Sequence, residues 1–275
     1  MAVYLAAIFI YASFAFNPQA GLSTLVKGFI IVILYACFDL LWTFIRDKVW
    51  YFPLSSFISG FVIAIVSIPN PPLYVLILLP LLAVFSKQLL HFGKMRHVFN
   101  PASFAMVVMS FFLPAVSWWG TSWDIIGLVV ISIFGLFILW RQERWHVTIP
   151  FLFSYTICLS LFLLLTGITS DQLPNILNAE LVNGTVLFFS TVMLIEPLTS
   201  TFPTHKQRTV YGILVGFFSV AVMYILKLTG LPHQDPLVVG LLLGNLTAGL
   251  LFLPNRKKAM IKPPMTATNN NELHG

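Results

Sequence analysis

The sequence predicts an all-α integral membrane protein: about ten transmembrane helices in a 5+5 inverted-topology repeat, with both termini cytoplasmic. Three observations carry this expectation. Only 9% of the residues are charged and 58% are hydrophobic, whereas a soluble domain has about 25% charged residues and needs polar surface around its core. The apolar residues fall in runs near the length that crosses a bilayer, about 17–25 residues. The basic residues collect at alternate ends of those runs, as they do in cytoplasmic loops.

Turn residues and charges divide the chain into runs at residues 2–17, 24–45, 54–69, 72–89, 99–116, 123–140, 148–167, 182–197, 209–227 and 236–254. The first has no Lys or Arg before it, which predicts a retained span rather than a cleaved signal peptide. The third and eighth are short and end at a proline, the pattern of broken or re-entrant helices. Arg46 and Lys48 follow the second run, Lys87, Lys94 and Arg96 the fourth, and Arg141 and Arg144 the sixth. Lys206 and Arg208 follow the eighth, and Arg256, Lys257, Lys258 and Lys262 the tenth. Lys27 and Lys227 remain, at run ends where a long stem snorkels. The opposite loops hold Asp124, Asp171, Glu180 and Asp235.

This placement also explains the net charge of +6. Basic residues set between apolar runs orient the chain in the membrane, so the expected partner is the lipid bilayer and not nucleic acid. Trp42, Trp50, Trp140 and Trp145 near one set of ends, and Trp118, Trp119 and Trp123 near the other, are expected to form interfacial belts. Cys37 and Cys158 lie far apart in apolar runs, with no metal-ligand spacing. One membrane domain is expected over residues 1–255, with repeats at about 1–116 and 123–254, followed by a disordered cytoplasmic tail at 256–275.

The repeat rests on three features in matched order. Short apolar segments stop at Pro69 and Pro197, a long apolar run follows each, and Asn100-Pro101 and Asp235-Pro236 then open another helix. Pro suits the first helical position and Asn or Asp the N-cap. The offset of five spans is odd, so the copies face opposite ways, and such proteins place their sites at the repeat interface. Capping alone explains Asn100 and Asp235 taken singly. As a pair, their helix N-termini offer N–H donors to a ligand inside the protein.

Two acidic residues fall inside the predicted runs, Asp39 and Glu196. Ionisable groups at that depth are costly and mark function unless paired. Asp39 is expected to pair with Arg46, about two turns along the same helix. Glu196 has no such partner, and Thr199, Ser200 and Thr201 beside it offer hydroxyls. That set suits a cation, a proton or the imide edge of a flavin. Ser154, Tyr155, Thr156 and Asn245 read as interior polar contacts between helices. Sequence patterns for serine–histidine–aspartate catalysis, nucleotide phosphate loops and dinucleotide binding are absent.

Two stretches carry a resemblance, FSKQLLHFGKMRHVFNPASFAM (residues 85–106) and TVMLIEPLTSTFPTHKQRTVYG (residues 191–212). Ser86-Lys87-Gln88-Leu89 through Phe99-Asn100-Pro101-Ala102 is similar to the G-K-Q-x-F…N-x-F-N-P-A stretch of the NqrB/RnfD family. Met193 to Ser200 is similar to its M-x-T-D-P-x-T-S stretch, with Glu196 in place of the usual Asp. The likeness covers roughly residues 50–255. It implies a multi-pass inner- or plasma-membrane subunit of an electron-transport complex, carrying electrons rather than catalysing a reaction alone. It also implies coupling to Na⁺ or H⁺, and as partners other subunits or a cytoplasmic NAD- or iron–sulfur-binding reductase. Members of this family attach FMN to the Thr of an S-G-A-T motif in an external loop. The corresponding loop here reads TGITSDQLP (residues 166–174), so the resemblance does not extend to a covalent FMN. A flavin, FMN or riboflavin, would be held non-covalently, with Asn100, Pro101, Glu196, Pro197, Thr199 and Asp235 as its expected contacts. The alternative is a cofactor-free channel or transporter for small solutes on the same scaffold.

Overall fold

The computed structural model describes residues 1–16, 18–90, 97–121, 125–230 and 233–252, with the side chain of Leu198 excepted. The expected tail at 256–275, Lys94 and Arg96 of the basic loop, Trp123 and Asp124 lie outside the described residues. Helices α1 (Ala2–Phe16), α2 (Gly21–Asp47), α3 (Leu54–Val66), α4 (Leu73–Leu89) and α5 (Pro101–Met109) make up the first part of the chain. Then come α6 (Ile125–Gln142), α7 (Trp145–Leu165), α8 (Leu173–Leu181), α9 (Gly184–Phe188), a π-helical turn (Phe189–Met193), α10 (Pro197–Ser200), α11 (His205–Thr229) and α12 (Pro236–Phe252). The described residues contain no strand, only an isolated bridge between Ser67 and Val116.

Helices α2, α6, α7 and α11 are long and apolar enough to cross a membrane, and α8 with the α9–π segment adds a fifth candidate bent by 49°. Large apolar side chains stand on the outer surface, among them Leu73, Phe112, Ile125 and Leu165. A surface of this kind is stable in hydrocarbon and costly in water. The chain is a multi-pass membrane protein.

Two expected runs are interrupted, each for a physical reason. The run at 99–116 is helical only through Met109, because Pro114 has no N–H and its ring clashes with the carbonyl four residues back. The strap that follows closes the end of α3. The amides of Ser117 and Trp118 donate to Val66 O at 2.9 and 3.1 Å, Gly120 N to Ile65 O at 3.1 Å, and the Trp119 indole to Ala64 O at 3.1 Å. These bonds satisfy carbonyls that a helix end leaves free. The run at 182–197 is α9 plus the π turn, which breaks before Pro197. Thr148 on α7 donates to Ser190 O at 2.9 Å inside that turn.

Helices α7 and α11 pack in parallel. Gly212 faces Val147 and Gly216 faces Phe151, where an added Cβ would meet backbone oxygens at 2.3 and 2.8 Å. Glycine is what lets the two backbones approach. Ser154 donates across this seam to Ile213 O at 3.0 Å, as expected of an interior polar contact. The tryptophans divide differently from expectation. Trp42, Trp50, Trp140 and Trp145 are exposed, but Trp118 and Trp119 are buried and hydrogen-bonded inside the protein.

Candidate functional site

Asn100 and Glu196, far apart in sequence, line one cavity of about 330 Å³. Its other walls are Ser55, Ile58, Ser59 and Val62 of α3, Ala102 of α5, Gln142 at the end of α6, Val192 and Met193 of the π turn, Pro197 and Met1. Each polar group is held from outside the cavity. The Asn100 side chain accepts from Ser103 N at 3.0 Å, capping α5 as expected, and its amide donates to Met193 O at 3.3 Å. One amide hydrogen and one oxygen lone pair of Asn100 are left over from these bonds. Glu196 is half-buried, and its Oε2 accepts from Thr199 at 3.0 Å. Ser200 donates to Glu196 O at 2.7 Å, closing the short helix that Pro197 opens. Thr199 therefore positions Glu196 without lining the cavity.

Arg144, the N-cap residue of α7, holds the far side of the break. Its guanidinium donates to Ser200 O at 3.3 Å and to Thr201 Oγ1 at 2.9 Å. Burial, and next to it Arg208, push this guanidinium below its usual pKa. Tyr211 donates to Asn245 Oδ1 at 2.7 Å and to Leu194 O at 3.5 Å. Asn245 thus supports the break rather than opening a separate site.

Asp235 lies elsewhere. It caps α12 through Val238 N at 2.9 Å and accepts from the Trp118 indole at 2.7 Å. Asn100 and Asp235 are alike in that each caps its own helix and reaches a partner in the other part of the chain. The structure does not bring them into one cavity.

The expected pairing of Asp39 with Arg46 is corrected. Asp39 is completely buried and pairs with Lys87 of α4, Nζ to Oδ2 at 2.8 Å, while Arg46 bridges Asp47 at 2.7 Å. Ser56 and Gln88 donate to the Asp39 carboxylate, both at 2.6 Å, and Tyr51 donates to it as well. Lys87 also donates to Ser55 at 2.9 Å and Ser56 at 3.0 Å. Geometry explains the change: α2 runs out to the surface by Arg46, whereas α3 and α4 close over Asp39 and supply donors there. Burial, and then the neighbouring Asp39, push the Tyr51 phenol up to about 12. Lys87, expected to be a loop charge, is a core residue of α4. One signal for this was available: Lys87 falls inside the run at 72–89 rather than after it. Met1 and Gln142 as cavity walls had no signal in the sequence.

No protein-family profile matches the chain. Among curated proteins it is similar to the RnfD subunits of the ion-translocating oxidoreductase complexes of Salmonella paratyphi B, Salmonella newport and Salmonella heidelberg. Each is 30% identical over 135 residues, which are 48% of this chain and 35% of the relative. The chain thus matches about a third of the length of these relatives.

Proposed function

We propose that this chain is a membrane subunit for electron transport and ion translocation, holding a flavin non-covalently in the Asn100–Glu196 cavity. The observation that carries the reading is the meeting of Asn100 and Glu196 at a broken helix, in a cavity otherwise walled by aliphatic side chains. Ligand pockets are largely apolar, with a few placed polar groups, and run from about 300 to 1,000 Å³. The cavity stands at the small end of that range. It suits a planar heteroaromatic ring whose imide meets the Glu196 carboxylate and whose carbonyl meets the spare Asn100 N–H. Its walls contain no Lys or Arg side chain to receive a phosphate, which favours riboflavin over FMN. Bound there, the flavin supplies one- and two-electron chemistry. The protein orients the ring between α3, α5 and the π turn and holds a proton or cation at Glu196.

In the same reading the domain spans residues 1–255 as an inverted 5+5 repeat about this cavity, in the cell membrane with both termini cytoplasmic. The reciprocal reach of Asn100 to Met193 and of Trp118 to Asp235 supports the repeat. The relatives named as complex subunits support partners of the same kind, further subunits or a cytoplasmic reductase. The test is the visible spectrum of the protein in mild detergent before and after acid precipitation, with riboflavin titration of any colourless preparation. Flavin released into the supernatant, with occupancy lowered in Glu196→Ala, is the expected result. Pigment remaining with the pellet would mean a covalent attachment. A protein that stays colourless after riboflavin or FMN is supplied refutes the flavin reading. It would leave the cofactor-free transporter, which the missing covalent-attachment motif favours.

A further inference from the structure

Away from the cavity, the parallel packing of α7 and α11 sets two helix N-termini side by side, and this has an electrostatic consequence. Each N-terminus carries about half a positive charge and unsatisfied N–H groups. α7 begins at Arg144 with no side-chain cap. α11 begins at Thr204, whose capping box satisfies Gln207 N and leaves the first N–H groups of the helix to other acceptors. Basic side chains gather at the same point. His146 and His205, one from each helix, are exposed and stack with ring centroids 4.1 Å apart. Arg208 lies in the first turn of α11, where its Nε donates to Phe202 O at 2.9 Å and both Nη groups are left over from that bond. Arg144 is 8% exposed, and its Nε is buried with no acceptor.

The described residues contain two ion pairs, Arg46–Asp47 and Lys87–Asp39, and neither belongs to this cluster. Like charges and parallel helix dipoles repel one another, so an anion there is strongly favoured. We propose that the α7–α11 N-terminal cleft, formed by Arg144, His146, His205 and Arg208, binds a phosphate-class anion. The donors are N–H groups spread over two guanidiniums, two imidazoles and two helix ends. That is the complement of a tetrahedral oxyanion with several acceptor oxygens. The anion can come from a free phosphate or from the headgroup of an anionic phospholipid.

The test places the full chain in nanodiscs of phosphatidylcholine and measures thermal unfolding with added inorganic phosphate against chloride at equal ionic strength. A bound ligand raises the midpoint in proportion to its occupancy. The expected result is stabilisation by phosphate beyond chloride, with affinity about tenfold weaker in Arg208→Gln. His205→Gln is the second variant, because no hydrogen bond of the fold depends on that imidazole among the described contacts, and a similar loss is expected. If phosphatidylglycerol in the nanodisc gives the same stabilisation and removes the response to phosphate, the source is a lipid headgroup. If only soluble phosphate acts, the source is free phosphate. Equal unfolding in phosphate and chloride, with no difference between the two lipids, overturns the proposal. So does a phosphate effect that both variants retain in full.

Discussion

The substitution Lys87→Met tests the most heavily constrained part of the structure. It keeps the aliphatic stem and removes a charge bonded to Asp39 at 2.8 Å, Ser55 at 2.9 Å and Ser56 at 3.0 Å. Asp39 is 0% exposed and would remain as a buried carboxylate without its cation. Removing one member of a buried pair costs about 3–5 kcal/mol. Tyr51, Ser56 and Gln88 still donate to Asp39, so the lower end, about 3 kcal/mol, is expected. The double substitution Asp39→Asn with Lys87→Met removes both charges. It should recover about 1–3 kcal/mol relative to the sum of the single changes. The assay is reversible unfolding in mixed micelles followed by circular dichroism, with all four proteins in one double-mutant cycle. If Lys87→Met costs under about 1 kcal/mol, or the two changes are additive, the pair does not hold α2, α3 and α4 together as argued.

Two further outcomes are expected. In Gly184→Ala the new Cβ would lie 1.6 Å from Thr121 O, so the start of α9 must move away from the strap. A loss of at least about 2 kcal/mol in the same unfolding assay is expected, and a neutral result would refute this close approach. Tyr51 should titrate with a midpoint of about 12, read as the alkaline absorbance change missing from Tyr51→Phe. Because the folded state holds this proton more tightly, its stabilising effect is complete below the ordinary tyrosine pKa of about 10 and is lost as pH rises towards about 12. A midpoint near 10 would show that the phenol is neither desolvated nor bonded to Asp39.

Period, length and charge placement were legible in the sequence because they are local properties. The apolar runs became helices, and Asn100 and Asp235 became N-caps, because the Asn-Pro and Asp-Pro pairs satisfy the first turn of their own helices. The prolines that end the short runs mark breaks in the structure for an equally local reason, the loss of an N–H. Glu196 as a cavity residue was also legible, since a carboxylate in an apolar run without a partner on its own helix has few other uses.

Partner identity was not legible. Asp39 could be matched from sequence only to Arg46 on its own helix, because local spacing says nothing about which helix packs against which. The closure of α3 and α4 over Asp39 brings Lys87 to it instead. The same holds for Trp118, which reads as an interfacial residue until the strap carries its indole to Asp235. It holds also for Arg144 and Arg208, two topology signals in sequence that the parallel packing of α7 and α11 turns into one cleft. Sequence by itself determined which segments enter the membrane and where their helices start and stop, since each of those choices is settled within a few residues. Tertiary structure alone decided which buried charges and caps meet, because in a low-dielectric interior a polar group takes whichever partner the packing of distant helices delivers.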